Sequence, residues 1–188
     1  TSFGINVADL NELTKFIGPP LRDSFQEYYD FSASEAETAV AKYREYFSER
    51  GIFENTLYKG IPELLGSLQK NNICLAVATS KPTVYARKIV NHFGLDRHFK
   101  LIVGSELNGN RSRKSEVIQY TLDILDIKNN VYAVMIGDRE HDIIGANEVG
   151  IDSIGVKWGY GSHGELERAG ATAIAETPDE LFELIIEE

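Results

Sequence analysis

From residue 73 onward the chain carries five short apolar runs: Ile73 to Thr79, Leu101 to Gly104, Val131 to Gly137, Ser153 to Val156 and, more weakly, Ala171 to Ala175. Each is too short for a helix, and stretches with helical spacing lie around them, at Ile61 to Lys70, Val84 to Phe93, Ser115 to Leu125, Ile143 to Val149, Glu165 to Ala169 and Asp179 to Ile186. A strand that reads as a continuous apolar run is covered on both faces, and strands alternating with helices pair in parallel. The pattern predicts an α/β chain, a parallel Rossmann-like sheet core with helices on both faces acting as crossovers. Such a sheet presents its chemistry at the carboxyl ends of its strands, so the residues just after each run are the first candidates for function.

Residues 7 to 60 follow a different pattern. They are polar and rich in helix formers, and Val40, Tyr43, Tyr46 and Phe47 recur at steps of three and four, as on one face of an amphipathic helix. Gly18-Pro19-Pro20 interrupts the first helical stretch, Asp30-Phe31-Ser32 interrupts the second, and Arg50-Gly51 reads as a helix stop. The expected organisation is a small all-α subdomain over 1–60, with 1–6 the end of a preceding segment, and an α/β core over 61–188.

Charge and composition narrow the partners. A net charge of −10 across 188 residues disfavours nucleic acid, which requires a basic surface, whereas an anionic small molecule needs only a local positive pocket. No apolar stretch is long enough to span a bilayer, and Thr1-Ser2-Phe3-Gly4 has no leader character, so the expectation is a cytoplasmic chain. The single cysteine, Cys74, lies inside an apolar run and reads as a buried structural thiol. His92 and His98 read as surface or internally satisfied residues, and His141 carries no assigned role. The glycine-rich stretch Gly155 to Gly164 lacks the spacing of a nucleotide cradle and reads as a flexible loop beside the site. Nothing in the sequence indicates an oligomeric state.

Two strand ends and one helix start carry polar chemistry. Thr79-Ser80-Lys81-Pro82 reads as a hydroxyl pair opening a helix, either an anion site or a plain N-cap. Gly137-Asp138-Arg139-Glu140-His141-Asp142 puts two carboxylates four residues apart after an uncharged strand, a donor set suited to a hard cation such as magnesium. Lys114 opens a helix, where its charge opposes the dipole. It is either solvated or compensated by an anion.

A strand ending in Thr, a lysine opening a helix, and a strand ending in Gly-Asp with a second Asp four residues on resemble, in that order, the haloacid dehalogenase superfamily. LAVATSKPT and VMIGDREHDIIGA are similar to its phosphoglycolate phosphatase and 5'-nucleotidase-like branch. The resemblance runs from near Asn6 to Glu188 and implies a phosphatase acting on a small phosphorylated metabolite, phosphoglycolate phosphatase-like, with a nucleoside 5'-monophosphatase as the alternative. It implies catalytic roles for Thr79, Lys114 and Asp138, substrate binding by Thr79, Ser80 and Lys114, Mg2+ held by Asp138 with Asp142, and Arg22 reaching the substrate from a helical cap. In the family an aspartate attacks phosphorus, and water then clears the phospho-aspartate with the help of a second aspartate.

The family's first motif, Asp-x-Asp at the end of a first strand, is missing from this sequence. That strand lies mid-sheet in the family, between the strands corresponding to 73–79 and 131–136. Leaving it out exposes backbone groups worth roughly 1 to 3 kcal/mol each. The expectation is that about 30 residues, a strand and its helix, precede Thr1 and carry the nucleophile. A chain complete as given would instead be a non-catalytic binding relative, unable to hydrolyse by the family route.

Overall fold

The computed structural model describes residues 3–187. The first expected segment, Thr1 to Asn6, therefore lies partly outside the described residues, as does the terminal Glu188. Beyond a 3-10 helix at Leu10–Phe16 come α1 (Leu21–Tyr29) and α2 (Ala33–Phe47), then a short 3-10 turn at Gly51–Phe53. The first amphipathic helix expected in this region is thus a 3-10 helix with no buried residue. Pro19-Pro20 leads into α1, and Asp30 ends it in the left-handed conformation at φ 53°. Ser32 and Glu35 form a capping box that starts α2: Ser32 Oγ accepts from the Glu35 amide, and the Glu35 carboxylate accepts from the Ser32 amide at 2.9 Å. Phe16, Phe25, Tyr29 and Phe31 pack ring against ring, giving this polar segment its own apolar centre.

The remainder alternates as expected: α3 (Ile61–Lys70), β1 (Ala76–Pro82), α4 (Thr83–His92), β2 (Leu101–Ser105), α5 (Lys114–Ile124), β3 (Val134–Gly137), α6 (Glu140–Val149), β4 (Asp152–Val156), α7 (Glu165–Arg168), β5 (Ala173–Ala175) and α8 (Pro178–Ile186). All strand pairings are parallel. Two sheets result, β1-β2 and β3-β4-β5, and no hydrogen bond joins β1 to β3 among the described residues. Each of β1 and β3 therefore has one edge without a strand partner among the described residues. Ala78 of β1 and Met135 of β3 both pack on one cluster formed by Ile118, Leu122, Ala146 and Ile151, so α5 and α6 hold the two sheets side by side. A second core joins Leu64 and Leu68 of α3, Ile154 and Val156 of β4, and Leu181 of α8. Among the described residues, no helix is long and apolar enough to cross a membrane.

Four expectations need correction. Cys74 is exposed, because the chain entering β1 alternates: Ile73 and Leu75 turn into the core and Cys74 turns out. Val131 and Tyr132 belong to a 3-10 turn, 71% and 82% exposed, so the strand expected from 131 begins at Val134. The last strand begins at Ala173 rather than 171. Thr79-Ser80-Lys81-Pro82 does not open a helix. The strand continues through Pro82, and α4 starts at Thr83 with no side-chain cap. His98, by contrast, is buried with its Nδ1 2.7 Å from Gln69 Oε1, an internally satisfied residue.

Candidate active site

The carboxyl ends of β1, β2 and β3 open on one cavity of about 670 Å3, which residues of α1 and α2 also line. Thr79, Ser80, Lys114, Asp138, Asp142 and Arg22, the residues singled out in the sequence, all line it. The apolar strands end with their polar termini at this hollow, which is how an open parallel sheet produces a binding site.

Lys114 links β1 to α6. Its Nζ donates to the Ala78 carbonyl of β1 at 3.2 Å and pairs with Asp142 Oδ1 at 2.7 Å. The anion offsetting a lysine at the start of α5 is thus a carboxylate from the first turn of α6. Asp142 is 7% exposed, and its other oxygen, Oδ2, accepts from the Arg139 amide at 3.2 Å. Both of its oxygens are engaged. Asp138 differs: Oδ2 accepts from the Tyr160 amide at 2.8 Å, while Oδ1 has no hydrogen-bond donor among the described residues.

Tyr160 belongs to the glycine-rich stretch read as flexible, and the contact shows what the glycines do. A Cβ on Gly159 would lie 2.2 Å from Asp138 Cβ and 2.3 Å from Asp138 Oδ2. Only a residue without a side chain lets this loop close on the carboxylate. Gly159→Ala is accordingly expected to displace Asp138 and to lower phosphate release by the full-length protein roughly a hundredfold, as misplacement by about 1 Å does. Steady-state assays beside a melting curve check this, and unchanged activity would show that Asp138 tolerates the shift.

Arg139 and Glu165, which the sequence reading did not connect, form the brace behind the site. Arg139 Nε pairs with Glu165 Oε1 at 2.7 Å, with the two side chains 13% and 8% exposed. Glu165 also accepts from the Glu140 amide at 2.9 Å and from the Ser162 amide at 2.8 Å. Burial alone would raise the Glu165 pKa. The hydrogen bond from Arg139, the two amides and the guanidinium charge outweigh it and hold the group at about 2. Arg139 Nη1 further donates to the Ile17 carbonyl, tying the loop after β3 to the chain leading into α1. One glutamate thus anchors both loops that flank Asp138. The only signal in the sequence was an acidic residue opening a helix just after the glycine-rich loop.

The carboxylates of the cavity limit how a cation could be held. No group of three or more His, Cys, Asp or Glu side chains converges among the described residues, which rules out an all-protein cage there. Magnesium keeps several waters and takes one or two carboxylates together with substrate phosphate, and the open oxygen of Asp138 at a glycine-lined loop fits that mode. Arg22 reaches the cavity, but its Nη2 donates to Glu37 Oε1, so its charge is shared within the helical segment.

Comparison with known proteins gives a consistent picture. The chain is 48% identical over 163 residues to a 5'-nucleotidase of Pseudomonas aeruginosa, covering 87% of this chain and 73% of that protein. It is 36% identical over 185 residues to the tyrosine-protein kinase PtkA of Mycobacterium tuberculosis, covering 97% of this chain and 62% of the kinase, so it spans less than two thirds of that relative. A crystal structure of a predicted phosphatase from Clostridium acetobutylicum superposes with a TM-score of 0.97 at 49% identity, over all of this chain and 86% of that one. The model of the family described as haloacid dehalogenase-like hydrolase matches residues 1–156, and with the strand order and cavity described above the chain belongs to that family.

Proposed function

We propose that this chain is the greater part of a magnesium-dependent phosphomonoester hydrolase, acting on a small phosphorylated metabolite through a phospho-aspartate. One observation carries the reading: Thr79, Ser80, Lys114 and Asp138 line one cavity at the carboxyl ends of parallel strands, and one oxygen of Asp138 has no hydrogen-bond donor among the described residues. In this reading Thr79 and Ser80 donate to phosphoryl oxygens. Lys114, steadied by Asp142, offsets their charge, and Asp138 holds the cation. Bound magnesium would neutralise charge as the transition state develops. The nucleophile and the acid–base aspartate would come from a strand seated between β1 and β3, each of which has one edge without a strand partner among the described residues. The helical segment over 1–60 would serve as a cap over the core of 61–188.

The cavity favours a bulky leaving group. Phe16, Tyr43, Phe47 and Tyr85 are among its lining residues, and aromatic side chains supply the apolar contact area that a heterocycle needs. A nucleoside 5'-monophosphate therefore fits better than phosphoglycolate, in line with the nucleotidase similarity. Orthophosphate release by the full-length protein from a panel of monoesters with magnesium tests this. The expected result is a kcat/KM for nucleoside monophosphates at least roughly tenfold above that for phosphoglycolate. Absence of release from every monoester would refute the activity, and a preference for phosphoglycolate would refute the substrate.

A further inference from the structure

We infer that Lys81 is a substrate-binding residue, whose ammonium at the seam between α2 and the end of β1 receives an oxyanion of the bound substrate. This rests on the phosphatase reading above and adds to it a contact outside the motif residues.

The first observation is how the backbone aims this side chain. Register in the β1–β2 pair runs regularly to Thr79 opposite Gly104, then jumps to Pro82 opposite Ser105. Ser80 and Lys81 are left without opposite residues, a bulge of the kind that turns side chains out of the regular alternation. Several groups hold it there. Ser105 Oγ donates to the Ser80 carbonyl at 2.8 Å, Thr83 Oγ1 donates to the Gly104 carbonyl at 3.0 Å, and the Gly104 amide donates back to Thr83 Oγ1 at 2.9 Å. A Cβ on Gly104 would sit 2.0 Å from the Lys81 carbonyl oxygen, so β2 has a glycine at the one position where the bulge needs the room.

The second observation is charge accounting within the cavity. Five of its lining residues are cations: Arg22, Arg44, Lys81, Lys114 and Arg139. Arg22 is engaged by Glu37, Lys114 by Asp142 and Arg139 by Glu165, while Arg44 donates to the Leu107 carbonyl. Lys81 alone has neither a carboxylate nor a carbonyl partner among the described residues. Its Nζ lies 4.7 Å from the centre of the Phe47 ring. Desolvation lowers its pKa, as expected for an ammonium withdrawn from water without an anion beside it. A half-buried cation without an anionic partner among the described residues gains when an anion arrives, as a ligand contact does. Thr79 and Ser80, immediately before it in the chain, put hydroxyls at the same strand end.

The oxyanion has two possible sources, the phosphoryl group itself or a second anionic group on the leaving portion, and the test separates them. Lys81→Met keeps an unbranched apolar stem against Phe47 and is expected to melt no lower than wild type, since it removes a half-buried charge that has no anionic partner among the described residues. Orthophosphate is titrated calorimetrically into full-length wild type, Lys81→Met and Lys81→Arg, and KM is measured for phosphoglycolate and for a monoester with an uncharged leaving group. If the partner is the phosphoryl group, Lys81→Met weakens orthophosphate binding and raises both KM values roughly tenfold or more, and Lys81→Arg recovers most of the loss. If it is a second anion, only the KM for phosphoglycolate rises. A folded Lys81→Met with orthophosphate affinity and both KM values within twofold of wild type overturns the assignment while leaving the phosphatase reading intact. If wild type hydrolyses nothing, that reading fails, and the orthophosphate titration alone decides the role of Lys81.

Discussion

Asp138→Asn in the full-length protein is expected to lower kcat/KM for orthophosphate release by on the order of a thousandfold, with little change in melting temperature. Asparagine keeps an oxygen that can accept the Tyr160 amide, now bonded to Asp138 Oδ2 at 2.8 Å, so the loop retains its anchor. What disappears is the negative charge at the open oxygen. The loss should therefore appear in the magnesium dependence as well, as a higher cation concentration for half-activation. Activity within tenfold of wild type at ordinary magnesium would mean that Asp138 does not hold the cation.

Glu165→Ala is expected to have the largest effect on stability. It removes the acceptor for Arg139, for the Glu140 and Ser162 amides and for Ser162 Oγ, and leaves the Arg139 guanidinium buried without its partner. Breaking a buried ion pair from one side costs roughly 3 to 5 kcal/mol. Glu165→Gln, which keeps an acceptor for the amides, should cost less. The same group gives the fold an acid dependence of definite sign. Its carboxyl titrates at about 2 in the folded chain against an ordinary 4.5, so the unfolded chain takes up the proton first as pH falls. Stability from this carboxylate is complete above about pH 4.5 and is lost as pH falls toward 2. Urea melts of wild type and Glu165→Gln across that window should converge. Parallel curves would show that the ion pair contributes nothing to folding.

Both of these groups bear on what could be read in the sequence. Asp138, Lys114 and Thr79 were legible because each follows or opens an element whose apolar pattern is local, and parallel-sheet topology brings strand ends together whatever the loops do. Glu165 was not legible as the partner of Arg139. The two are joined by the return of the chain after β4, and no spacing rule encodes that distance. Lys81 was hidden for a related reason. Thr-Ser-Lys-Pro has the residue types of a helix start, and only Gly104, on the neighbouring strand, makes room for the bulge that turns it into a strand end. Cys74 and Val131 show the limit of apolar runs: composition marks the segment, but the pleat decides that Cys74 faces out, and a 3-10 turn leaves Val131 in solvent. The division into two sheets, β1-β2 and β3-β4-β5, was not legible, because an apolar run marks a strand and not the neighbour it pairs with.

The central claim is that Thr79, Lys114 and Asp138 surround one phosphate- and cation-binding hollow. Backbone amide shifts of the full-length protein, followed while orthophosphate and magnesium are added together, test it most directly. The expected outcome is saturable change concentrated at Thr79 to Lys81, Lys114, Asp138 to Glu140 and Gly159 to Gly161, with little change elsewhere. Shifts at only one of these segments, or at a surface remote from all of them, would contradict it.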